Sequence, residues 1–129
     1  MKTALQRTPR LALTLAIAVM VFARPSSADE AFNKAVTEGN LDQAKALLEA
    51  KPGLANEPER FGMRPLHSAS QFGRLEMVRW LMEKGADIRA QDDMGMTPLH
   101  WAALYTHGGI AKALLEKGAD PNARDANGW

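Results

Sequence analysis

The side chains that first suggest catalysis in this sequence are two histidines and a serine. His67 and His100 lie 33 residues apart, and Ser68 directly follows the first of them. A nucleophilic serine needs a base within hydrogen-bonding distance, but neighbouring residues on a helix point in different directions. The adjacency of Ser68 and His67 therefore does not indicate a nucleophile–base pair.

Metal and cofactor chemistry is also poorly supported. A zinc site needs three or four convergent ligands, and the turn expected between His100 and His107 breaks their helical spacing. The absence of cysteine removes thiolate ligands, thiol nucleophiles and disulfides. Residues 120–125 are only faintly like a calcium loop, because Arg124 occupies a ligand position and no glutamate follows. We expect no catalytic residue, metal, cofactor or small-molecule ligand.

The segments that carry these histidines recur along the chain. Residues 59–91 and 92–124 share 13 identities over 33 positions, whereas chance would give roughly two. Both contain Met-x-Pro-Leu-His-x-Ala near the start and Glu-Lys-Gly-Ala-Asp near the end. A fixed period of this length is typical of a stacked repeat array.

Local chemistry predicts the form of each repeat. Thr97 is a good N-cap, because its hydroxyl accepts a hydrogen bond from a free N–H of the first helical turn. Pro98 suits the first helical position, where no N–H is needed. Gly85 and Gly118 stand where a helix must stop and the backbone turns left-handed. The pattern predicts a helix, a turn, a second helix and an extended loop.

These residues resemble the ankyrin repeat, whose motif Thr-Pro-Leu-His-x-Ala is present from Thr97 onward. The resemblance covers about 100 residues and implies an all-α fold, an ankyrin-repeat solenoid of stacked helix-turn-helix units joined by hairpin-like loops. It also implies that the imidazole of each repeat bonds the threonine hydroxyl of the motif and nearby backbone. His100 has Thr97 for this pairing, whereas His67 has Arg64 at the same position and therefore lacks the hydroxyl. The repeats are placed at about 29–58, 59–91 and 92–124, with the start of a further repeat at 125–129.

Three departures from the motif carry structural predictions. The first repeat lacks Pro-Leu-His, as is expected of a terminal cap with one face towards water. Arg64 replaces the capping threonine in repeat two, which should weaken that helix by about 1 kcal/mol. Gly108 and Gly109 disfavour helix, so we expect a loose turn in repeat three and a helix that starts late, at Ile110. Because the chain stops before the next helix, a fragment of a longer protein is favoured.

The resemblance implies a partner-binding surface on the concave side, where loop tips and first-helix ends line up. The alternative is that some of these side chains pack under the loops. Trp80 and Trp101 are instead assigned to the core between repeats. The predicted partner-binding residues are Arg60, Phe61, Met63, Gln71, Phe72, Asp93, Met94, Met96, Leu104, Tyr105 and Trp129.

Residues 1–28 have the three parts of a secretory signal peptide. Basic residues at 2, 7 and 10 precede a run of 13 mostly apolar residues from Leu11 to Ala23, and small residues then lead to a cut before Asp29. A membrane anchor is the alternative, but a spanning helix needs about 20 apolar residues. A cut after Ala23 is disfavoured by the bulk of Val21. We expect a periplasmic or secreted protein with no membrane span after cleavage.

Charge narrows the choice of partner. The chain after residue 28 holds 12 basic and 15 acidic residues, a net charge of −3, whereas nucleic-acid binding needs a concentrated basic face. The sequence therefore predicts a non-catalytic protein–protein interaction module. The alternatives are an inhibitor or immunity-like protein of an exported toxin or enzyme, and the repeat region of a longer enzyme.

Overall fold

Six α-helices form over residues 27–128, which are the residues that the computed structural model describes. No strand occurs in that range, so the predicted all-α fold class is confirmed. Two short 3₁₀ segments, Pro52–Asn56 and Arg60–Gly62, lie between the second and third helices. The helices are α1 (Ser27–Glu38), α2 (Leu41–Ala50), α3 (Pro65–Gln71), α4 (Leu75–Glu83), α5 (Pro98–Leu104) and α6 (Gly108–Glu116).

The helices pack as successive pairs in chain order. α1 contacts α2, α3 contacts α4, and α5 contacts α6. The first helices of the pairs also form a continuous layer, in which α3 lies between α1 and α5, while α4 packs against α6. Each pair therefore uses its neighbour to bury its apolar side, as a stacked array requires.

The core runs between the pairs, and the two tryptophans that were assigned to it are both buried. Trp80 is 7% exposed and packs against Phe32 of α1, with ring centroids 6.4 Å apart. Trp101 is also buried, as predicted, although it lies outside the cluster that contains Trp80. Its indole Nε1 donates to Asp92 Oδ2 at 2.8 Å, which directs the ring towards the loop that precedes α5.

The turn in repeat three is as tight as its counterpart in repeat two. Thr106 takes a left-handed φ of +58° where Gly73 has +73°. The His107 N–H donates to Ala102 O at 2.8 Å, which reproduces the 2.9 Å bond between the equivalent residues of repeat two. α6 begins at Gly108 rather than two residues later, so the expected loose turn and late start were wrong. The contacts of the following apolar residues outweigh the low helix propensity of glycine.

The starts of α3 and α5 differ as the sequence predicts. Thr97 Oγ1 accepts from the His100 N–H at 3.4 Å, and the Thr97 N–H donates to His100 Nδ1 at 3.0 Å. An arginine side chain has no acceptor, so at Arg64 only the second of these bonds forms, from its N–H to His67 Nδ1 at 2.9 Å. The predicted loss of the hydroxyl cap is therefore confirmed.

The first helix begins slightly before the predicted start of repeat one. α1 starts at Ser27, and Asp29 in its first turn pairs with Lys51 Nζ at 2.8 Å, which ties the start of α1 to the end of α2. The signal-peptide prediction covers residues 1–28, and residues 1–26 lie outside the described part of the chain. Within residues 27–128, each helix is too short or too polar to traverse a bilayer.

Candidate functional site

The loops before α3 and α5 are joined to each other through their backbones. The Asp93 N–H donates to Phe61 O at 2.9 Å, and the Ala126 N–H donates to Met94 O at 2.8 Å. The same bond, repeated at the same position of successive loops, fixes the loop tips in one row. Side chains at equivalent tip positions are therefore held side by side on one edge of the array.

Asp92 stabilises the loop of repeat three. Its Oδ1 accepts from the Met94 and Met96 N–H groups, both at 2.9 Å, and its Oδ2 accepts from Trp101 Nε1. Asp92 is 8% exposed, and a buried carboxylate with three donors is well satisfied. This side chain fixes both the tip and the start of α5.

Glu59 holds the equivalent position in repeat two but is less well satisfied. Its Oε2 accepts from Ser68 Oγ at 2.8 Å, whereas its buried Oε1 has no partner among the described residues. Burial raises the pKa of Glu59 above its usual value, and the Ser68 hydrogen bond opposes that rise. Ser68 is thus a hydrogen-bond partner of this carboxylate.

Most of the predicted partner-binding residues are exposed on this side of the array. Arg60 and Asp93 are exposed at the tips, whereas Gln71, Met63 and Met96 are half-buried. Trp129 lies outside the described residues. The exposed large apolar side chains of the predicted set are Phe61 (72%), Leu104 (62%), Phe72 (50%), Met94 (48%) and Tyr105 (46%).

These side chains occupy equivalent positions in successive repeats. Phe61 and Met94 are at the tips, and Phe72 and Tyr105 are the C-caps of α3 and α5. We call this surface the binding face. It consists of the tip residues Arg60, Phe61, Asp93 and Met94 and the helix-end residues Gln71, Phe72, Leu104 and Tyr105.

An aromatic stack that the sequence did not reveal supports the helix-end part of this face. Tyr105 lies between Trp101 and His107, with ring centroids 6.1 and 6.5 Å away and interplanar angles of 19° and 13°. His107 Nε2 donates to Gln71 O at 3.1 Å, which links the turn of repeat three to α3. The sequence had placed His107 in a loose turn, so its packing role was missed. The stack holds Tyr105 in a defined orientation.

The potential metal ligands are dispersed over the described residues. No three potential metal ligands converge anywhere in residues 27–128. A cavity of about 200 Å³ lies between the loop that precedes α5 and the segment that follows α6, and its lining contains no histidine or serine. It is lined by Ile88, Arg89, Gln91, Thr97, Asp120 and Ala123.

Comparison with protein families agrees with the helix pairing and the motif. The family model described as ankyrin repeats, in three copies, matches residues 32–125. The chain belongs to the ankyrin-repeat family. Ankyrin repeats bind other proteins, so protein–protein interaction is the general function of this module.

Individual relatives share this ankyrin-repeat module within larger proteins. The chain is 41% identical over 68 residues to the human DNA-binding protein RFXANK, and this match covers 52% of the chain and 26% of that protein. It is 39% identical over 69 residues to the E3 ubiquitin-protein ligase XBAT32 of Arabidopsis thaliana, covering 52% and 13% respectively. For the probable E3 ubiquitin-protein ligase XBOS33 of Oryza sativa subsp. japonica, the identity is 37% over 68 residues, covering 52% and 13%. The chain thus matches about a quarter or less of each relative's length.

Proposed function

We propose that this ankyrin-repeat chain is an exported, non-catalytic module that binds a protein partner through the binding face. The observation that carries the proposal is the row of exposed apolar side chains at equivalent tip and helix-end positions. Contiguous apolar rows rimmed by charge usually mark interaction sites. Tyrosine, phenylalanine and methionine are also enriched at protein interfaces.

The rigidity of the face supports the same proposal. Backbone bonds join the tips, Asp92 fixes one loop through three hydrogen bonds, and Tyr105 is held between two other rings. A surface that is already ordered loses little conformational entropy when it binds. Side chains presented in this way suit recognition of another folded surface.

Nucleic acid is not proposed as the partner, although one relative is named as a DNA-binding protein. The chain after residue 28 carries a net charge of −3. Nucleic-acid affinity depends on neutralising phosphates with clustered lysine and arginine. A mildly acidic array with an apolar row instead suits a protein surface.

Export rests on the N-terminal pattern of a basic start, a 13-residue apolar run and small residues before Asp29. The absence of cysteine is compatible with an oxidising compartment, where stability must then come from packing. N-terminal sequencing of the protein recovered from the periplasmic fraction or medium tests this part. We expect a start at Asp29, and a mature protein that begins at Met1 would overturn export.

Partner binding is tested by affinity capture from a periplasmic extract. Phe72→Ala and Tyr105→Ala each truncate an exposed ring of the binding face, and we expect each to reduce the recovered partner at least about tenfold, as for a hot-spot residue. Leu115→Ala is the matched control, because Leu115 is 43% exposed but lies on α6, in the layer of second helices. Undiminished recovery with both ring variants would overturn the proposal.

A further inference from the structure

The two loop tips carry opposite charges at the same structural position. Arg60 is exposed at the tip of repeat two, and Asp93 is exposed at the tip of repeat three. The two ion pairs found within residues 27–128 join other side chains, so these tip charges are not neutralised by each other or by the described remainder of the chain. Each tip charge is available to a partner.

Four apolar members of the binding face also form two matched pairs, 33 residues apart. Phe61 on one tip corresponds to Met94 on the next, and Phe72 at the end of α3 corresponds to Tyr105 at the end of α5. Thioether–aromatic and aromatic–aromatic contacts are both favourable in buried interfaces. In these two pairs, the residue of repeat two therefore has a chemically complementary residue at the same position in repeat three.

Phe61 adds a reason for the face to be covered. Its φ of +60° lies in the left-handed region, which is unfavourable for a bulky side chain, and 72% of its surface is exposed. The free chain thus holds a large ring in a strained, solvated position. Burial of that ring against an apolar surface would remove the cost of its exposure to solvent.

This arrangement fits a two-fold symmetric contact. In such an interface, residue i of one copy contacts residue j of the other, and j contacts i. An axis passing between repeats two and three would place Arg60 of each copy opposite Asp93 of the other. It would likewise place Phe61 opposite Met94 and Phe72 opposite Tyr105. An arrangement that stacked repeat two on repeat two would instead bring like charges together.

We infer that one partner of the binding face is the same face of a second copy of this chain, in a two-fold dimer. This inference rests on the proposed function, because it assigns an occupant to the same surface. The face contains only a few residues per copy, which places it at the small end of interface sizes. Self-association should therefore be reversible, dependent on concentration and weakened by salt.

Charge reversal at the tips tests the inference. The full chain is studied by sedimentation equilibrium as the wild type and as Arg60→Asp and Asp93→Arg. Each single variant would oppose like charges at both symmetry-related contacts, so we expect self-association at least about tenfold weaker than in the wild type. Lys112→Glu, at an exposed position on α6, is the control and should leave the wild-type constant unchanged.

Two combinations should recover association. In an equimolar mixture of Arg60→Asp with Asp93→Arg, both contacts become attractive, so a heterodimer should form with an affinity near that of the wild-type dimer. The double variant Arg60→Asp/Asp93→Arg should form a homodimer in the same way. Only a contact that pairs position 60 with position 93 predicts both recoveries.

The outcomes separate this inference from the proposed function. A wild type that stays monomeric overturns the dimer, as does association that is unchanged in the single variants or fails to recover in the mixture. None of these results affects capture of another protein from the extract. If instead the dimer forms as described but recovery of other proteins from the extract is undiminished with Phe72→Ala and Tyr105→Ala, the proposal of a different protein partner fails. The second copy of the chain is then still the assigned occupant of the binding face.

Discussion

Truncation of His67 is the change that should most weaken the array. The imidazole is fully buried, and its Nδ1 accepts from the Arg64 N–H at 2.9 Å. Because Nδ1 accepts, Nε2 carries the proton, and it donates to Ala90 O at 3.0 Å and Met96 O at 2.9 Å. One side chain thus connects the start of α3 to the loop of the next repeat.

The size of the effect follows from the groups that lose their partner. His67→Ala would remove the partner of one partly buried N–H and the shared partner of two carbonyls. Each unsatisfied buried group costs about 1–3 kcal/mol. Carbonyls often keep some other interaction, so we expect a total loss of about 3–5 kcal/mol, including the cavity. That is a large fraction of the stability of a typical small domain, about 5–15 kcal/mol.

Urea unfolding followed by circular dichroism measures this loss, with His100→Ala as the matched variant. His100 makes the same bond to its N-cap N–H, at 3.0 Å, but is only half-buried. We expect its truncation to reduce the free energy of unfolding by less than half as much. Equal losses in the two variants, or a smaller loss for His67→Ala, would show that the burial of His67 does not determine the size of the loss.

The same side chain should give the protein a pH dependence. Burial lowers the pKa of His67 below its usual 6.5, while its hydrogen bonds to Met96 and Ala90 oppose the shift. Below pH 6.5 the unfolded chain therefore binds a proton that the folded chain does not, so the contribution of His67 to stability falls as the pH drops from 6.5 through the folded pKa. His67→Ala should lack this part of the acid destabilisation.

Two further predictions concern residues that differ between the repeats. Glu59→Gln should raise the free energy of unfolding by about 1 kcal/mol at neutral pH, because it removes a buried charge. The raised pKa of Glu59 means that its folded carboxyl binds a proton more tightly than the unfolded one. The free energy of unfolding of the wild type therefore falls as the pH rises from 4.5 through the folded pKa. Urea unfolding should show the higher stability of Glu59→Gln only above that pH window. Thr106→Gly should raise the thermal midpoint by relieving about 1 kcal/mol of left-handed strain at φ +58°. The converse Gly73→Ala should lower it, because the added Cβ would lie 2.7 Å from His107 Cε1.

The sequence was sufficient for the helix pairing because the 33-residue period, the Thr97–Pro98 cap and Gly85 all specify local geometry. It was insufficient where a residue is held by a distant partner. The acceptors of the His67 Nε2–H lie 23 and 29 residues away, at the end of the same repeat and in the loop of the next one. The direction of the Trp101 ring was not predicted for a similar reason, since it depends on a carboxylate in the preceding loop.

The turn of repeat three shows how tertiary contacts outweigh local propensity. Two glycines predicted a loose turn, yet His107 is held by Gln71 O, and Ile110 is 2% exposed within the core. The packing of these residues fixes Thr106 in a conformation that its own chemistry disfavours. Helix propensity is a local property that the sequence shows directly, whereas these contacts exist only in the folded array.

We attribute the exposed position of the Phe61 ring to Glu59, which stands in repeat two where repeat three has Asp92. In repeat three, Asp92 Oδ1 holds the N–H groups of Met94 and Met96, and the turn closes from the Gly95 N–H to Asp92 O at 2.9 Å. In repeat two the longer Glu59 side chain instead bonds Ser68, which lies in α3.

Without that acceptor, the turn of repeat two closes one residue later, from the Met63 N–H to Arg60 O at 3.3 Å, and Phe61 becomes left-handed. Glu59→Asp should return the acceptor to the tip, shift the turn back and bring the φ of Phe61 to a negative value, as measured by the ³J(HN,Hα) coupling of residue 61. The tip would then resemble that of Met94, and any association that depends on the present orientation of Phe61 would weaken. A left-handed Phe61 in the Asp variant would mean that the methylene of Glu59 does not determine the shape of the tip.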